Sequence, residues 1–505
     1  MSAKDSVLKG RAHATHTDGP ALLGRKSVLM GMLASGFVIA NTAHPRTASA
    51  GTIKPVAATL PLYITKWTPA TAYTAGQQVI SPTCDVVSAK VAHTSLPSYS
   101  SDAAKWALGC SDARRDAVGM FAKDNGVVGD GITNDGAALN ALLASAASFG
   151  VPVVLTPLSI VFTSVGIVIP SNTRLNGNGA TIKCGITSSI YTPTIGISGV
   201  SNVIIENLKV DGNKAAFAPA TEFKHGIGMR TSTDVVLRNV TLNSNKGDGI
   251  EIAGDNATTW SERITLDNVT CLYNHRNGLS VIACKTLRVI HGSYSFSSGT
   301  SPQAGIDVEP NNAADPIEDL VFTDVLMQGN ATCGFEVNLH TAPTAKQEGI
   351  RLTNCSMRGS AGAGAVLITA YHVTFTDCEF NDNRIGIEAD TKVNHLTIKG
   401  GVVLRNTYRG IFGVSTSMND WLISGVKILD NAGYGVLLNG AGHRFVIESN
   451  TIGNDTTSAT QYGIATAVST LTYVSIVNNY VRGLSGYALG LTDDATTRIN
   501  RDNAV

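Results

Sequence analysis

The sequence has no excess of charge of either sign and few charged residues in all. Its 505 residues include 38 basic and 38 acidic side chains, and charged residues make up 15% of the chain. Proteins that bind nucleic acid usually present an extended positive field. Long apolar runs are also missing, because the run from Val28 to Ala40 is too short to span a bilayer as a helix. We therefore expect no nucleic-acid partner and no membrane-spanning segment.

Aromatic residues and cysteines are scarce as well, whereas glycine is abundant. Aromatic residues make up 6% of the chain, and there are 51 glycines. This composition favours many tight turns between strands of small residues over a helical bundle, so we expect a mostly β architecture. Eight cysteines are too few for a disulfide scaffold in a chain of this length, and most of them should be small core residues. Cys84 and Cys110 fall in one short N-terminal region and could close a loop there.

Residues 1–50 have the pattern of an export signal. A polar leader ends at Arg25-Lys26, the apolar run follows, and Ala48-Ser49-Ala50 matches an A-x-A cleavage site. The segment resembles a twin-arginine signal in which Lys26 replaces the second arginine, and an ordinary secretory signal is the alternative. Either interpretation predicts an exported protein, periplasmic or extracellular. Its mature chain would begin near Gly51 and have no further contact with the membrane.

Residues 51–112 contain aromatic and small polar residues in a recognisable order. The order is Trp67, Tyr73, Gly76, Val79, then His93-Thr94-Ser95, Asp102 and Trp106. It resembles the small chitin- and cellulose-binding modules found beside many secreted glycosidases. The resemblance implies that Trp67 and Tyr73 bind substrate, because flat aromatic faces stack on the apolar faces of sugar rings. The alternative is that Trp67 and Trp106 form the core of this module.

Residues 113–505 begin with a short helical pattern. Asn134 and Asp135 mark its start, Gly150 marks its end, and the strand "VPVVL" follows. Four apolar residues recur at helical spacing between those ends: Leu139, Leu142, Leu143 and Ala146. The segment resembles the entry and capping helix of the pectate-lyase-like β-helix superfamily, and so does "TRLNGNGATIK" after it. The resemblance implies an all-β, single-stranded, right-handed parallel β-helix with an N-terminal capping helix.

A repeat supports this fold independently. A glycine followed by alternating apolar residues recurs every 22 to 30 residues, at positions 226, 249, 278, 305, 334, 364, 386, 410, 435 and 463. A second strand pattern, such as "ITLDNVT" or "IRLTNCS", lies between successive glycines. Two or three short strands per repeat without helices are typical of a parallel β-helix.

The repeat allows the outward-facing residues to be identified. If each glycine marks the same corner of successive coils, the next residue points inward and the second residue after it points outward. We call these second residues the outward column: Gly228, Glu251, Ser280, Asp307, Glu336, Val366, Glu388, Phe412 and Leu437. Acidic residues occupy its middle coils, and apolar residues replace them toward the C-terminal end.

Three carboxylates in the middle coils form the candidate catalytic set. Asp307 and Glu336 would lie side by side on stacked strands about 4.8 Å apart, and Glu309 would lie about 6.6 Å along the strand from Asp307. Like charges this close repel, so the arrangement costs stability unless a substrate or a cation uses it. We therefore predict that Asp307, Glu309 and Glu336 are catalytic and stand outside the core. An exposed charged face without function is the alternative.

Further side chains around these carboxylates are predicted to bind substrate. His225, His275 and Arg276 also fall nearby, although a lone histidine more often has a structural role. The predicted substrate-binding residues of this region are Arg230, Glu251, Trp260, Asn311, Asn338 and His340.

The chemistry of the groove favours hydrolysis. The superfamily includes hydrolases, lyases, epimerases and transferases that act on polysaccharides. "AGIDVEP" is similar to the polygalacturonase-type "NTDGID", with Asp307 on the second aspartate and Ala304 in place of the first, and to the "GFDPH" of alginate epimerases, with Glu309 in place of the histidine. Hydrolysis or transglycosylation requires two carboxyl groups and no cofactor or metal, whereas uronate elimination requires a base and often Ca²⁺.

Two other functions therefore stay open. The first is a lyase or epimerase in which the acids hold Ca²⁺ and Arg230 or His340 transfers the proton. The second is a non-catalytic adhesin that binds glycans. The expected partner in every case is a polysaccharide, and the resemblance also allows a homotrimer.

Overall fold

The structure is a computed structural model of the chain. It describes residues 65–74, 77–81, 86–102, 105–108, 119–187, 191–217, 223–255, 258–456, 460–467, 470–484, 489–491 and 498–501. The chain divides into two units, Met1–Leu60 and Pro61–Val505, and the described residues all belong to the second. The predicted export signal and the proposed Cys84–Cys110 pair lie outside the described residues. Within the described ranges, no helix is long and apolar enough to cross a membrane.

A small sheet comes first along the chain. Four strands pair in the order Thr65–Lys66, Gln78–Ile80, Val86–Ala89 and Trp106–Leu108. A second, antiparallel pair joins Ala72–Tyr73 to His93–Thr94, and a helical turn covers Tyr99–Asp102.

The core of this small sheet overturns one prediction. Tyr73 is only 3% exposed and packs with Val79, Val87 and Ala89, while Trp67 is partly buried against them. The Tyr73 hydroxyl accepts a hydrogen bond from the backbone N–H of Thr68 at 2.7 Å. The prediction that the face of Tyr73 stacks on a sugar is therefore wrong, because a sheet this small needs the ring for its own core.

The capping helix spans Gly136–Phe149, as the sequence predicts. Its buried face consists of Gly136, Leu139, Leu142, Leu143 and Ala146. The helix ends at Gly150, whose left-handed conformation (φ 65°) lets its N–H reach the last carbonyls. The Asp135 carboxylate accepts hydrogen bonds from the backbone N–H groups of Val128 and Gly129, both at 2.8 Å, and so holds the preceding loop against the helix start.

The remaining strands form one continuous parallel sheet that winds into coils, and each coil contributes to three ladders. The first ladder contains the strands that carry the repeated glycines, and we call it the site ladder. Its strands are Ile167–Val168, Ile195–Ser198, Ile227–Arg230, Ile250–Ala253, Leu279–Val281, Ile306–Val308, Phe335–Asn338, the first parts of Ala363–Thr376 and Ile385–Lys399, Arg409–Gly413, Gly433–Leu438, Thr460–Thr466 and Leu489–Leu491.

The other two ladders form the remaining walls. The second contains Met120–Phe121, Val153–Val154, Arg174–Asn176, Ser201–Asp211, Thr233–Asn243, Ser261–Leu272, Cys284–Ser295, Ile317–Thr323, Gln347–Thr353, the last parts of Ala363–Thr376 and Ile385–Lys399, Ser417–Ser424, Gly442–Glu448, Leu471–Val477 and Arg498–Arg501. The third contains Asp130–Asn134, Ile160–Thr163, Thr181–Cys184, the ends of four long strands of the second ladder, Leu326–Gln328, Ser356–Arg358, Glu379–Asn381, Val402–Leu404, Lys427–Leu429, Thr451–Gly453 and Tyr480–Arg482.

The interior explains the sequence repeat. Residues such as Ile306 and Val308 point inward and are fully buried in one continuous apolar core. The repeated glycines stand where coils approach closely, since a Cβ on Gly278 would lie 2.5 Å from the carbonyl oxygen of Gly305. Within the described ranges six cysteines are free and buried, which confirms that most cysteines are small core residues: Cys184, Cys271, Cys284, Cys333, Cys355 and Cys378.

Candidate functional site

The outward column has the predicted register. Glu251 pairs with Ser280, Ser280 with Asp307, and Asp307 with Glu336 on successive strands of the site ladder. The pairing then continues from Glu336 through Val366, Glu388, Phe412 and Leu437. The three predicted catalytic carboxylates therefore lie on adjacent coils of one face.

Asp307 points outward, as predicted, but does not reach solvent. Its side chain is fully buried, although it lies outside the apolar core that contains Ile306 and Val308. Side chains from the turn one coil earlier cover it: Asn277 Nδ2 donates to Asp307 Oδ2 at 3.0 Å, and the Arg276 guanidinium lies 4.0 Å from the same oxygen. Outward direction and solvent exposure differ here because the turn before each glycine folds over the ladder.

Burial changes the acidity of Asp307. Burial, and then the charges of Glu336 and Glu309, raise the pKa of Asp307 well above its usual range. Its second oxygen, Oδ1, is buried and has no hydrogen-bond partner among the residues that the structure describes. The neutral, protonated carboxyl group is the form that these surroundings favour.

Glu336 and Glu309 differ from each other in exposure. Glu336 is 8% exposed, and burial followed by the charge of Glu309 raises its pKa, although the Cys333 thiol donates to Glu336 Oε2 at 3.5 Å and opposes that rise. The Glu309 side chain is 35% exposed and accepts a hydrogen bond from Asn338 Nδ2 at 3.1 Å. The Glu336 carboxyl group is thus largely shielded from water, whereas the Glu309 carboxyl group contacts solvent.

Arg276 connects acids of the two coils on either side of its own. Its guanidinium lies 3.2 Å from Asp248, 4.0 Å from Asp307 and 3.9 Å from Glu309, and its side chain is 17% exposed. The buried Asp248 also accepts hydrogen bonds from the backbone N–H of Asn277 and the hydroxyl of Ser280, both at 2.9 Å. Arg276 therefore offsets part of the negative charge that the sequence places in these coils.

A buried histidine stands at the other end of this network. His225 Nδ1 lies 3.1 Å from the backbone nitrogen of Asp248, from which the neutral ring accepts a hydrogen bond, and 3.3 Å from Asp248 Oδ2, to which the protonated ring donates. Burial opposes protonation, but Asp248 and then Glu251 outweigh it, so the pKa of His225 is raised. Arg230 donates to Glu251 Oε2 at 2.8 Å at the solvent edge of the same group.

A groove of about 360 Å³ runs beside these residues. Tyr191 and Phe223 stack on one wall with ring centroids 5.2 Å apart, and Tyr191 is 68% exposed. The lining also includes Pro193, His225, Arg230, Glu251 and Asn311. The groove thus combines an exposed aromatic face with hydrogen-bonding groups, which is the combination that sugar rings require.

The carboxylates of the site already have a cationic side chain beside them. Within the described part of the chain, no group of three or more His, Cys, Asp and Glu side chains is placed to hold one. The guanidinium of Arg276 already lies among the carboxylates that a Ca²⁺ ion would need.

Comparison with known families supports the architecture. A family model described as the right-handed β-helix region matches residues 340–504. A search of curated protein sequences found no match to this chain.

Solved structures share the fold over most of the chain. The A-module of the mannuronan C-5 epimerase AlgE4 from Azotobacter vinelandii aligns with a TM-score of 0.51 and 17% identity, over 75% of this chain and 98% of that module. The fold is a right-handed parallel β-helix. Gene product 12 of bacteriophage phi29 aligns with a TM-score of 0.54 and 16% identity, over 72% of this chain and 52% of that one. The Streptococcus pneumoniae adhesin PfbA aligns with a TM-score of 0.50 and 14% identity, over 75% of this chain and 93% of that one. At these identities the likeness concerns the fold alone.

The β-helix brings together some predicted substrate-binding residues and separates others. Arg230, Glu251 and Asn311 line the groove, and Asn338 contacts Glu309. His340 is half-buried, and among the described residues its ring makes no hydrogen bond or ion pair with the carboxylates. Trp260 lies at the start of a strand of the second ladder, where the Lys285 ammonium stands 4.1 Å over its ring.

Asp248, Asn277 and Cys333 belong to the network but were not predicted from the sequence, and His225 was noted without a role. All four residues occupy the position just before a repeated glycine. Aligning the coils on the glycine and reading this preceding position would have found them, because that turn is the part of the coil that covers the outward column. Tyr191 and Phe223 precede the regular repeat and carry no comparable signal.

Proposed function

We propose that this protein cleaves glycosidic bonds of a polysaccharide by carboxylate acid/base chemistry, as a glycoside hydrolase or transglycosylase does. The observation that carries the proposal is that Glu336, whose raised pKa favours a protonated acid, lies near the partly exposed Glu309 of the preceding coil. Glycosidases need one carboxyl group that is protonated and one that is not.

The ladder geometry supports a direct displacement by water. Glu309 lies two residues beyond Asp307, and Asp307 pairs with Glu336. Spacings of about 4.8 Å between strands and 6.6 Å along a strand put the backbone positions of Glu309 and Glu336 about 8 Å apart. Inverting glycosidases hold their carboxyl groups roughly 6.5 to 9.5 Å apart, which leaves room for a water molecule. We therefore favour an inverting reaction.

In this mechanism the two glutamates divide the proton transfers. Glu336 donates its proton to the glycosidic oxygen, and Glu309 takes a proton from the water that attacks the anomeric carbon. Arg276, 3.9 Å from Glu309, holds that carboxylate in place. Tyr191 and Phe223 stack on a sugar ring, and Arg230 and Asn311 donate hydrogen bonds to it.

Asp307 has a different role from the one its sequence position suggests. Its buried carboxyl group cannot reach a substrate in this arrangement. We assign it as a positioning residue that accepts a hydrogen bond from Asn277 at 3.0 Å and stands next to Glu336 on the ladder.

A second candidate function rests on His225. A buried histidine with a raised pKa beside Glu251 and Arg230 could transfer a proton at a uronate carbon, as a lyase or epimerase requires. The shared fold of the AlgE4 epimerase module is compatible with this alternative. We rank it second because carboxyl groups outnumber basic side chains in the network beside the groove.

The wider organisation is also part of the proposal. We propose that residues 1–50 direct export and that the protein acts in the periplasm or outside the cell. Residues 51–112 would form a module that binds insoluble polysaccharide through Trp67, and residues 113–505 would form the catalytic domain. A homotrimer stays open.

Purified protein should be incubated with a panel of plant, algal and bacterial polysaccharides. New reducing ends without ultraviolet absorbance from an unsaturated product are expected. Reducing ends with such absorbance would indicate a lyase instead, a change of sugar configuration without cleavage an epimerase, and binding without any reaction an adhesin.

A further inference from the structure

A second cluster of polar and aromatic side chains lies on the site ladder, toward the C-terminal end. Tyr408 is 41% exposed, and guanidinium groups flank its ring, with Arg384 4.8 Å and Arg409 4.1 Å from the ring centroid. The Arg409 guanidinium also lies 3.8 Å over the ring of Phe412 and donates to the Tyr408 hydroxyl at 2.6 Å. We call Arg384, Tyr408 and Arg409 the arginine–tyrosine cluster.

This cluster shares a face with the proposed catalytic residues. Arg409 covers Phe412, which belongs to the same outward column as Glu336. Val366 and Glu388 lie between Glu336 and Phe412 in this column. Three strand spacings of about 4.8 Å separate Glu336 from Phe412, so the two regions lie about 14 Å apart along the helix axis. A disaccharide is too short to contact both regions, whereas a longer chain lying along the face reaches both.

The two arginines lack the carboxylate partner that a neighbouring arginine has. Arg405 forms an ion pair with Asp382 at 2.8 Å. Arg384 and Arg409 have no carboxylate within 4.0 Å in the described ranges, and Arg409 Nε is buried without a hydrogen-bond partner. The charge of Glu388 interacts with both arginines and with Asp390.

We propose that the arginine–tyrosine cluster is a remote subsite for a sugar that carries an anionic group, a carboxylate or a sulfate. A guanidinium presents donors that match a planar or tetrahedral anion, and an aromatic face stacks on the sugar ring. This inference deepens the proposed function and rests on it, because it makes the substrate an acidic polysaccharide whose chain occupies the catalytic groove and the cluster together.

The test measures binding rather than turnover. The full chain carrying Glu309→Gln, so that the polymer is not cut, is run in native gels that contain alginate, polygalacturonate, hyaluronan or chondroitin sulfate, with hydroxyethyl cellulose as the neutral control. At least one acidic polymer should retard the protein more strongly than the neutral one. Adding Tyr408→Ala should then weaken the affinity for that polymer about tenfold, and Arg409→Gln several-fold.

Matched variants separate the cluster from general surface effects. Arg405→Gln removes the same charge from the same coil, and Tyr473→Ala removes another exposed tyrosine, which is 63% exposed. Both should leave retardation unchanged. Because Tyr408 is exposed, its variant should fold normally, and an unchanged melting temperature checks this.

Chain length gives the second measurement. Calorimetric titration with oligosaccharides from the retarding polymer should show that Tyr408→Ala weakens binding of long oligomers and spares disaccharides. The subsite is overturned if no acidic polymer retards the protein, or if the control variants lose as much affinity as Tyr408→Ala. Tyr408-dependent retardation without cleavage by the native sequence would instead keep the subsite and reject the hydrolase.

Discussion

The middle and the late coils of the outward column have the same backbone geometry but carry side chains with different roles. In the middle coils the column holds Ser280, Asp307 and Glu336, which belong to a buried hydrogen-bonded network. In the late coils it holds Phe412 and Leu437, which pack with Ala363, Ile385 and Ala465 into a small apolar cluster outside the main core. Strand register and inward packing are alike in both regions.

The difference shows which positions of a β-helix are free to change. The inward face and the glycine corner are constrained by close packing of neighbouring coils. The outward face carries no such constraint, so it can hold apolar residues that stabilise the fold or carboxyl groups that cost stability. Carboxyl groups that are kept dry at this cost are typical of active sites.

The largest expected effect concerns the middle coils. Glu309→Gln and Glu336→Gln should each lower the cleavage rate by about 10²- to 10⁴-fold, because each removes one proton-transfer group. Rates should be measured on a soluble polysaccharide, together with the melting temperature. Near-native rates in either variant would remove that residue from the mechanism. The matched control is Glu448→Gln, a half-buried glutamate of the second ladder.

The next effect concerns the late coils. Phe412 is 8% exposed and packs against Leu437, so Phe412→Ala should lower the free energy of unfolding by about 3 kcal/mol. Cleavage of a short soluble substrate should be unaffected at temperatures where the variant is folded. Chemical denaturation measures the first outcome. If the same variant abolished cleavage while folded, the two regions would not be separable.

A smaller effect of opposite sign is expected at Asp307. The pKa of this acid is raised in the folded chain, so folding takes up a proton as the pH rises above the unfolded value of 3.8. The free energy of unfolding should therefore be greatest below pH 3.8. It should fall by about 1.4 kcal/mol per pH unit between 3.8 and the folded-state pKa, and stay constant above that pKa. Asp307→Asn should remove this loss and raise the melting temperature at neutral pH.

The control for Asp307→Asn is the pH dependence itself. The gain in melting temperature should shrink as the pH falls below 3.8, where the native carboxyl group becomes protonated in both the folded and the unfolded state. A gain that is constant with pH would show that it does not come from the titration of Asp307, and a loss at neutral pH would show that the Asp307 carboxylate stabilises the folded chain.

The smallest effect is expected at the boundary between the two regions. Burial, followed by the charge of Asp390, raises the pKa of Glu388, but Arg384 and Arg409 oppose the rise. Glu388→Gln should therefore raise the melting temperature at neutral pH by less than Asp307→Asn does. A larger gain than that of Asp307→Asn would mean that the two arginines do not offset the cost of burying Glu388.

Much of this arrangement could be predicted from the sequence. The glycine repeat, with alternating apolar residues after it, determined the coil register, and the pairing of Asp307 with Glu336 follows from it. The helix over Gly136–Phe149 was predictable because its start, its apolar spacing and its terminal glycine agree. Local patterns suffice for these features. The helix depends on periodicity within a few residues, and the register depends on a glycine that recurs at the same corner of each coil.

Only the tertiary structure decided which side chains face water. Asp307 and Tyr73 occupy positions that the sequence marks as outward or exposed, yet both are buried, because turns or strands distant in sequence cover them. The link from Arg276 to Asp248, Asp307 and Glu309 also spans three coils. A periodic pattern specifies the direction in which a side chain leaves the backbone, but its burial, and with it its acidity, depends on what other coils place above it.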